Sequence, residues 1–91
     1  MSVAERIRSK LTQALSPGHL DVTDESARHA GHAGARPEGE THFHVEIVAE
    51  AFRGLSRIER QRLVHRTLAE ELAGPVHALS LSIRAPGEGS R

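Results

Sequence analysis

Cysteine is missing from this 91-residue chain. Disulfides are therefore excluded, and so is any thiolate ligand or nucleophile supplied by the chain itself. Tryptophan and tyrosine are missing too, and the only aromatics are Phe43 and Phe52. The core must be built largely from Leu, Ile, Val and Ala, and no aromatic is left over to stack on a base. Excess charge of one sign is also absent, because 12 Lys and Arg balance 12 Asp and Glu. Whole-molecule electrostatics thus give no push toward nucleic acid. No apolar run approaches the roughly 18 residues of a membrane span. Met1–Lys10 is charged throughout, unlike a signal peptide, so the chain reads as cytoplasmic with no membrane partner.

What is present organises one small domain over residues 1–85, with 86–91 expected as a flexible, frayed tail. Ser2 caps a helix whose apolar positions Val3, Ile7, Leu11 and Leu15 recur every four residues, and Ser16-Pro17-Gly18 stops it. Residues 19–24 alternate around Leu20 and Val22 as a short strand. Residues 42–48 alternate more clearly, with Phe43, Val45 and Ile47 on one face. Ser56 with Glu59 forms a capping box that starts a second helix. Its buried face is predicted to hold Ile58, Val64, Leu68, Ala69 and Leu72, with Gln61 and His65 inside that sector, and Gly74-Pro75 ends it. A last strand over 76–84 places Leu79, Leu81 and Ile83 on one side. The order helix-strand-strand-helix-strand specifies an α+β fold. Its final crossover sets strand three parallel to strand two in a three-stranded mixed sheet, with the helices on one face.

Between the first two strands runs Ala27 to Thr41, a long loop that carries His29 and His32. Loops of this length in compact domains are either disordered or functional. A third histidine, His77, falls in the last strand with the parity of Leu79 and Leu81, so partial burial is expected. Imidazole binds metals and moves protons near neutral pH, so the two loop histidines and His77 suggest a shared ligand site. His42 and His44 share the solvent-facing parity of their strand at a spacing that can clip zinc or copper. Plain polar alternation explains them equally well, and a structural hydrogen bond is the preferred role for His42. No Ser-His-Asp spacing, nucleophile motif or aligned acid appears, so an enzyme is not expected.

Taken together, Leu20-Asp-Val-Thr-Asp-Glu-Ser26, Glu40-Thr-His-Phe43, Phe52-x-Gly54-x-Ser56, Arg60-x-Arg62-x-Val64, Leu68-Ala-Glu-Glu-Leu72 and Val76-His-Ala-Leu79 resemble the BolA family along nearly the whole chain. Two positions depart from it: Gln61 stands where members usually have His, and the C-terminal helix of many members is replaced by the stretch after Pro86. The resemblance implies a class II KH-like fold and two activities. One is partnership with a monothiol glutaredoxin around a shared [2Fe–2S] cluster, as a monomer that becomes a heterodimer. His77 maps onto the family's strand ligand, and His29, with His32 as the alternative, maps onto the loop ligand. The glutaredoxin cysteine and glutathione would hold the other iron. A cysteine-free chain suits this division, because imidazole replaces thiolate on one iron in Rieske centres.

The other implied activity is DNA binding and transcription regulation through the helix-turn-helix region. Arg53, Arg57, Arg60, Arg62 and Arg66 crowd that turn and helix. Arg60 points away from Arg62 and Arg66 on the helical wheel, and Glu59 and Glu70 are spaced to neutralise these two locally. The turn holds only Gly54 in place of the GXXG loop with which KH domains clamp RNA.

Overall fold

The computed structural model describes residues 2–25 and 41–88. Helix α1 spans Val3–Leu15, and its start is a full capping box. The Ser2 hydroxyl accepts from Glu5 N–H at 3.1 Å, while Ser2 N–H donates to the Glu5 carboxylate at 2.9 Å. Ile7, Leu11 and Leu15 form its buried stripe. The helix stops at Ser16, which takes the left-handed conformation at φ 44° and returns its N–H to Thr12.

Strands β1 (His19–Asp24), β2 (His42–Val48) and β3 (Ala78–Arg84) form one sheet in that order. β1 runs antiparallel to β2, with Val22 opposite Val45, and β3 runs parallel to it, with Leu81 beside the same Val45. Phe43, Val45 and Ile47 are buried on the helical side, as their alternation requires. Val22, Ala49, Phe52, Val64, Leu68, Val76 and Ala85 complete the core with the α1 stripe. Phe43 and Phe52 are both core residues. The opposite face of the sheet carries His42, His44 and Glu46, flanked by Asp21 and Thr23 on one side and Ser80 and Ser82 on the other. The expected α+β, mixed-sheet architecture is the one observed.

After β2 the chain makes a 3-10 turn at Glu50–Phe52 and passes Gly54, whose φ of 82° suits a residue without a Cβ. The Ser56–Glu59 capping box then opens α2, Arg57–Thr67. The single helix expected to run to Gly74 breaks at Leu68 and resumes as α3, Ala69–Ala73. Thr67 contributes to the break: its hydroxyl donates to the Leu63 carbonyl at 2.9 Å, a back-bond that bends helices. Leu68 itself turns into the core.

Three further expectations are corrected. Ile58 is 59% exposed. It stands about 120° around the helix from Val64, and the half-buried side of α2 extends instead through Arg60, Leu63 and Thr67, leaving His65 exposed as well. β3 begins at Ala78, two residues later than expected, because the N–H groups of Val76 and His77 bond to Glu71 and Thr41 instead of joining the ladder. The third concerns the stretch from Pro86. Gly87 turns at φ 86°, and Glu88 folds back so that its carboxylate accepts from Ala85 N–H at 2.9 Å. It also receives two bonds from Arg60, at 2.7 and 2.8 Å. These contacts hold the Glu88 carboxyl down at about 2, the Arg60 guanidinium being the main cause. Residues 86–88 are therefore part of the fold, and 89–91 lie outside the described residues.

α3 is fastened to α1 by one buried carboxylate. Glu71 is 1% exposed and accepts from Arg6 at 3.2 Å and Lys10 at 3.0 Å. Burial alone would raise its pKa; the bonds from Lys10, the backbone and Arg6 outweigh that and lower it.

Candidate functional site

His77 does not share the partial burial of Leu79 and Leu81: it precedes β3 and its side chain is exposed. Its ring nitrogens have no hydrogen-bond partner among the described residues. Its backbone, by contrast, is held on both sides. Val76 N–H bonds to the Glu71 carbonyl at 2.9 Å, and His77 and Ala78 N–H both converge on the Thr41 carbonyl, at 2.7 and 3.2 Å. An exposed, unspent imidazole thus sits on a fixed stretch of main chain.

Thr41 organises this corner twice. Fully buried at the start of β2, it holds the His77 backbone through its carbonyl. Its hydroxyl lies 2.8 Å from His42 Nδ1, which is the structural hydrogen bond expected for His42. The His42 ring then lies nearly parallel to that of His77, with centroids 6.4 Å apart and planes 13° from each other. Sequence reasoning named His77 but missed the role of Thr41 and the His42–His77 pairing. The only available signal was that Thr41 and His42 belong to the Thr-His-Phe motif.

His29 and His32 lie outside the described residues, so their placement relative to His77 is not given by the structure. The ends of their segment are placed, however. Glu25 N–H bonds to the His42 carbonyl at 2.7 Å, and Thr41 bonds to His77. Both anchors meet at the corner that presents His77. The remaining described histidines stand elsewhere: His44 Nδ1 is 2.6 Å from Ser80 Oγ, His19 is 3.8 Å from Glu46, and His65 is on the outer side of α2. No cluster of three or more metal-ligating side chains occurs among the described residues.

The five arginines divide into two groups. Arg53 is committed to Glu50, at 2.7 Å, and to the Pro86 carbonyl. Arg60 is committed to Glu88 and the Leu55 carbonyl, and it lines a groove between α2 and β3 with Gln61, Leu81 and Ser82. Arg57, Arg62 and Arg66 have no hydrogen-bond or ion-pair partner among the described residues. The expected local neutralisation does not occur, because Glu59 is used by the Ser56 cap and Glu70 bonds to Lys10 at 2.6 Å. Arg62 and Arg66 flank a shallow cleft with Leu55, Glu59 and Leu63, away from Arg60 as the helical wheel requires.

No helix among the described residues is long and apolar enough to cross a membrane. A model of the BolA family, described as BolA-like protein, matches residues 11–88. BolA-like protein 1 of Homo sapiens is 50% identical over 86 residues, covering 94% of this chain and 60% of that protein. The chain thus spans about three fifths of the length of this relative. The DNA-binding transcriptional regulator BolA of Escherichia coli is 46% identical over 81 residues, covering 89% of this chain and 73% of that one. The solved structure of BolA1 from Arabidopsis thaliana superposes with a TM-score of 0.86 at 39% identity, covering 98% of both chains. With the fold, the motif residues and the matched range in agreement, the chain belongs to the BolA-like family.

Proposed function

We propose that this BolA-like protein is a binding partner and not a catalyst. It docks as a monomer onto a monothiol glutaredoxin in the cytoplasm, and the two share a [2Fe–2S] cluster for iron sensing or cluster delivery. The observation that carries this reading is His77, an exposed imidazole with no ring hydrogen bond among the described residues, on a backbone fixed by Thr41. Its donor chemistry fits such a cluster, since two imidazoles suffice for one iron. His77 supplies one, and His29, or His32 in its place, supplies the other from a segment anchored at the same corner. The chain has no thiolate to give, so the partner's cysteine and glutathione hold the second iron. Imidazole ligands compete with protons below pH 7, which makes this half of the site the labile half.

The test is visible circular dichroism of a cluster reconstituted on a monothiol glutaredoxin with glutathione, before and after adding this protein. A changed spectrum that disappears with His77→Ala supports the reading. An unchanged spectrum at stoichiometric excess rejects it. The double variant His29→Ala/His32→Ala then asks whether the loop contributes, and an unaltered spectrum removes it.

A second reading is DNA binding and transcription regulation, favoured by the three arginines of α2 that have no partner among the described residues and by the regulator among the relatives. Arg62 and Arg66 would then contact phosphates. Titrating a 20-base-pair duplex at several salt concentrations tests it: Arg62→Ala/Arg66→Ala should lower the slope of log K against log salt by about 2. An unchanged slope removes the helix from any DNA contact.

A further inference from the structure

We propose that the free edge of β3, with the α2 groove beside it, takes up an extended acidic segment of another protein as an added strand. The N–H of Ala78 bonds to the Thr41 carbonyl at 3.2 Å, and the Arg84 carbonyl accepts from Ala49 at 3.0 Å. The even-numbered residues of β3 therefore turn their backbone groups toward β2, and Leu79, Leu81 and Ile83 turn theirs outward. On that outer side these three have no backbone hydrogen bond among the described residues. Natural sheets normally guard such an edge with charge, proline or a cover. β1, at the other edge, follows that rule: it carries Asp21 and Asp24, and Arg8 reaches its Val22 carbonyl at 3.4 Å. β3 has no proline and no charge before Arg84.

The groove sets the chemistry of the occupant. Leu55, Arg57, Arg60 and Gln61 line it together with Leu81 and Ile83. The fold already seats one carboxylate there, since Glu88 accepts from both terminal nitrogens of Arg60 and from Ala85 N–H just past the strand. Arg57 has no hydrogen-bond or ion-pair partner among the described residues and is left to meet a second carboxylate from outside. A fitting segment alternates, with apolar and acidic side chains toward the groove and small polar ones on the face of Ser80 and Ser82. A second copy of this chain does not match, because its β3 brings only Arg84 as a charge and its Glu88 is already bonded. Single-stranded nucleic acid does not match either. Phe43 and Phe52 are both in the core, so no ring is there to stack a base, and Glu88 repels phosphate. The surface is separate from the His77 ring and needs no cluster.

Amide resonances of the isotope-labelled full chain, followed during titration with the hexapeptide Val-Thr-Glu-Thr-Val-Thr, test this surface. Saturating shifts are expected at the Leu79, Leu81 and Ile83 amides, larger than at Ser80 and Ser82, whose N–H groups already face β2. Arg57→Glu should weaken binding about 10-fold, as should exchanging the peptide's Glu for Lys. Arg57 is the first residue of α2, where an acid suits the helix dipole, so this variant keeps the fold. Arg62→Glu, on the other cleft, and His77→Gln should leave the peptide affinity unchanged. Absence of saturation, equal binding of the Lys peptide, or shifts that bypass the three edge amides overturns the proposal, and so does loss of binding in His77→Gln. The same shift pattern with an oligouridine of matched length overturns it in favour of nucleic acid. A concentration-dependent dimer that protects the edge amides in the free protein overturns it in favour of a second copy.

Discussion

The seam between α1 and α3 and the corner at the start of β3 both gather polar side chains, and they use them in opposite ways. In the seam, Glu71 is buried and both its cations are turned onto it. In the corner, the His77 ring is exposed and only its backbone is fixed. The seam's charges hold the fold; the corner's imidazole is held by it. The regions are joined through one residue, since Glu71 uses its side chain in the seam and its carbonyl to fix Val76 beside His77. A polar residue such as His77, whose side chain has no hydrogen-bond partner among the described residues while its main chain is held on both sides, is the better candidate for external chemistry.

Breaking the seam should have the largest effect on stability. Glu71→Gln removes the buried negative charge that pairs with Arg6 and Lys10, turns an amide N–H2 toward one of these cations, and should cost about 2 kcal/mol in urea denaturation. A negligible loss would show that the seam is held by apolar packing alone. Thr41→Val should come next, at about 1 kcal/mol, for loss of the hydroxyl's bond to His42 in a site of nearly unchanged shape.

The Arg60–Glu88 latch should show its effect through pH. The Glu88 carboxyl is held at about 2 in the fold, below its ordinary value. The contribution is therefore fully present above the ordinary carboxylate pKa and is lost as pH falls toward 2. Glu88→Gln should lower the melting temperature at pH 7, and the gap to wild type should close by pH 2. A gap that persists in acid would assign the loss to shape instead of charge. The smallest effect belongs to the corner: His77→Gln should shift stability by less than about 0.5 kcal/mol while the cluster spectrum is lost. A large destabilisation would place His77 with the seam and remove the contrast.

Periodicity made most of the fold legible. The Phe43–Val45–Ile47 alternation and the Ile7–Leu11–Leu15 stripe fixed two elements and their buried faces, and the two Ser caps marked where helices begin. What stayed illegible depended on contacts distant in sequence. Ile58 fits a helical stripe, but the sheet packs against a face rotated toward Leu63 and Thr67. Glu88 reads as part of a polar tail until the fold brings Arg60 to it across 28 positions. Arg62 reads as neutralised until the cap takes Glu59. At the site, His77 was legible through its motif, whereas its pairing with His42 emerges only from strand register.

That register also sets how the molecule must assemble. Every partner pair between β2 and β3 is separated by 36 positions along the chain. The capped helices α1 and α2 can form from local contacts within a microsecond or so, but the parallel pair has no short hairpin to nucleate it. The entropy of closing that loop must be met before the ladder returns any stabilisation. Sheet closure is thus the expected slow step, and the histidine corner, built where Thr41 meets His77, is among the last features to exist as the chain folds.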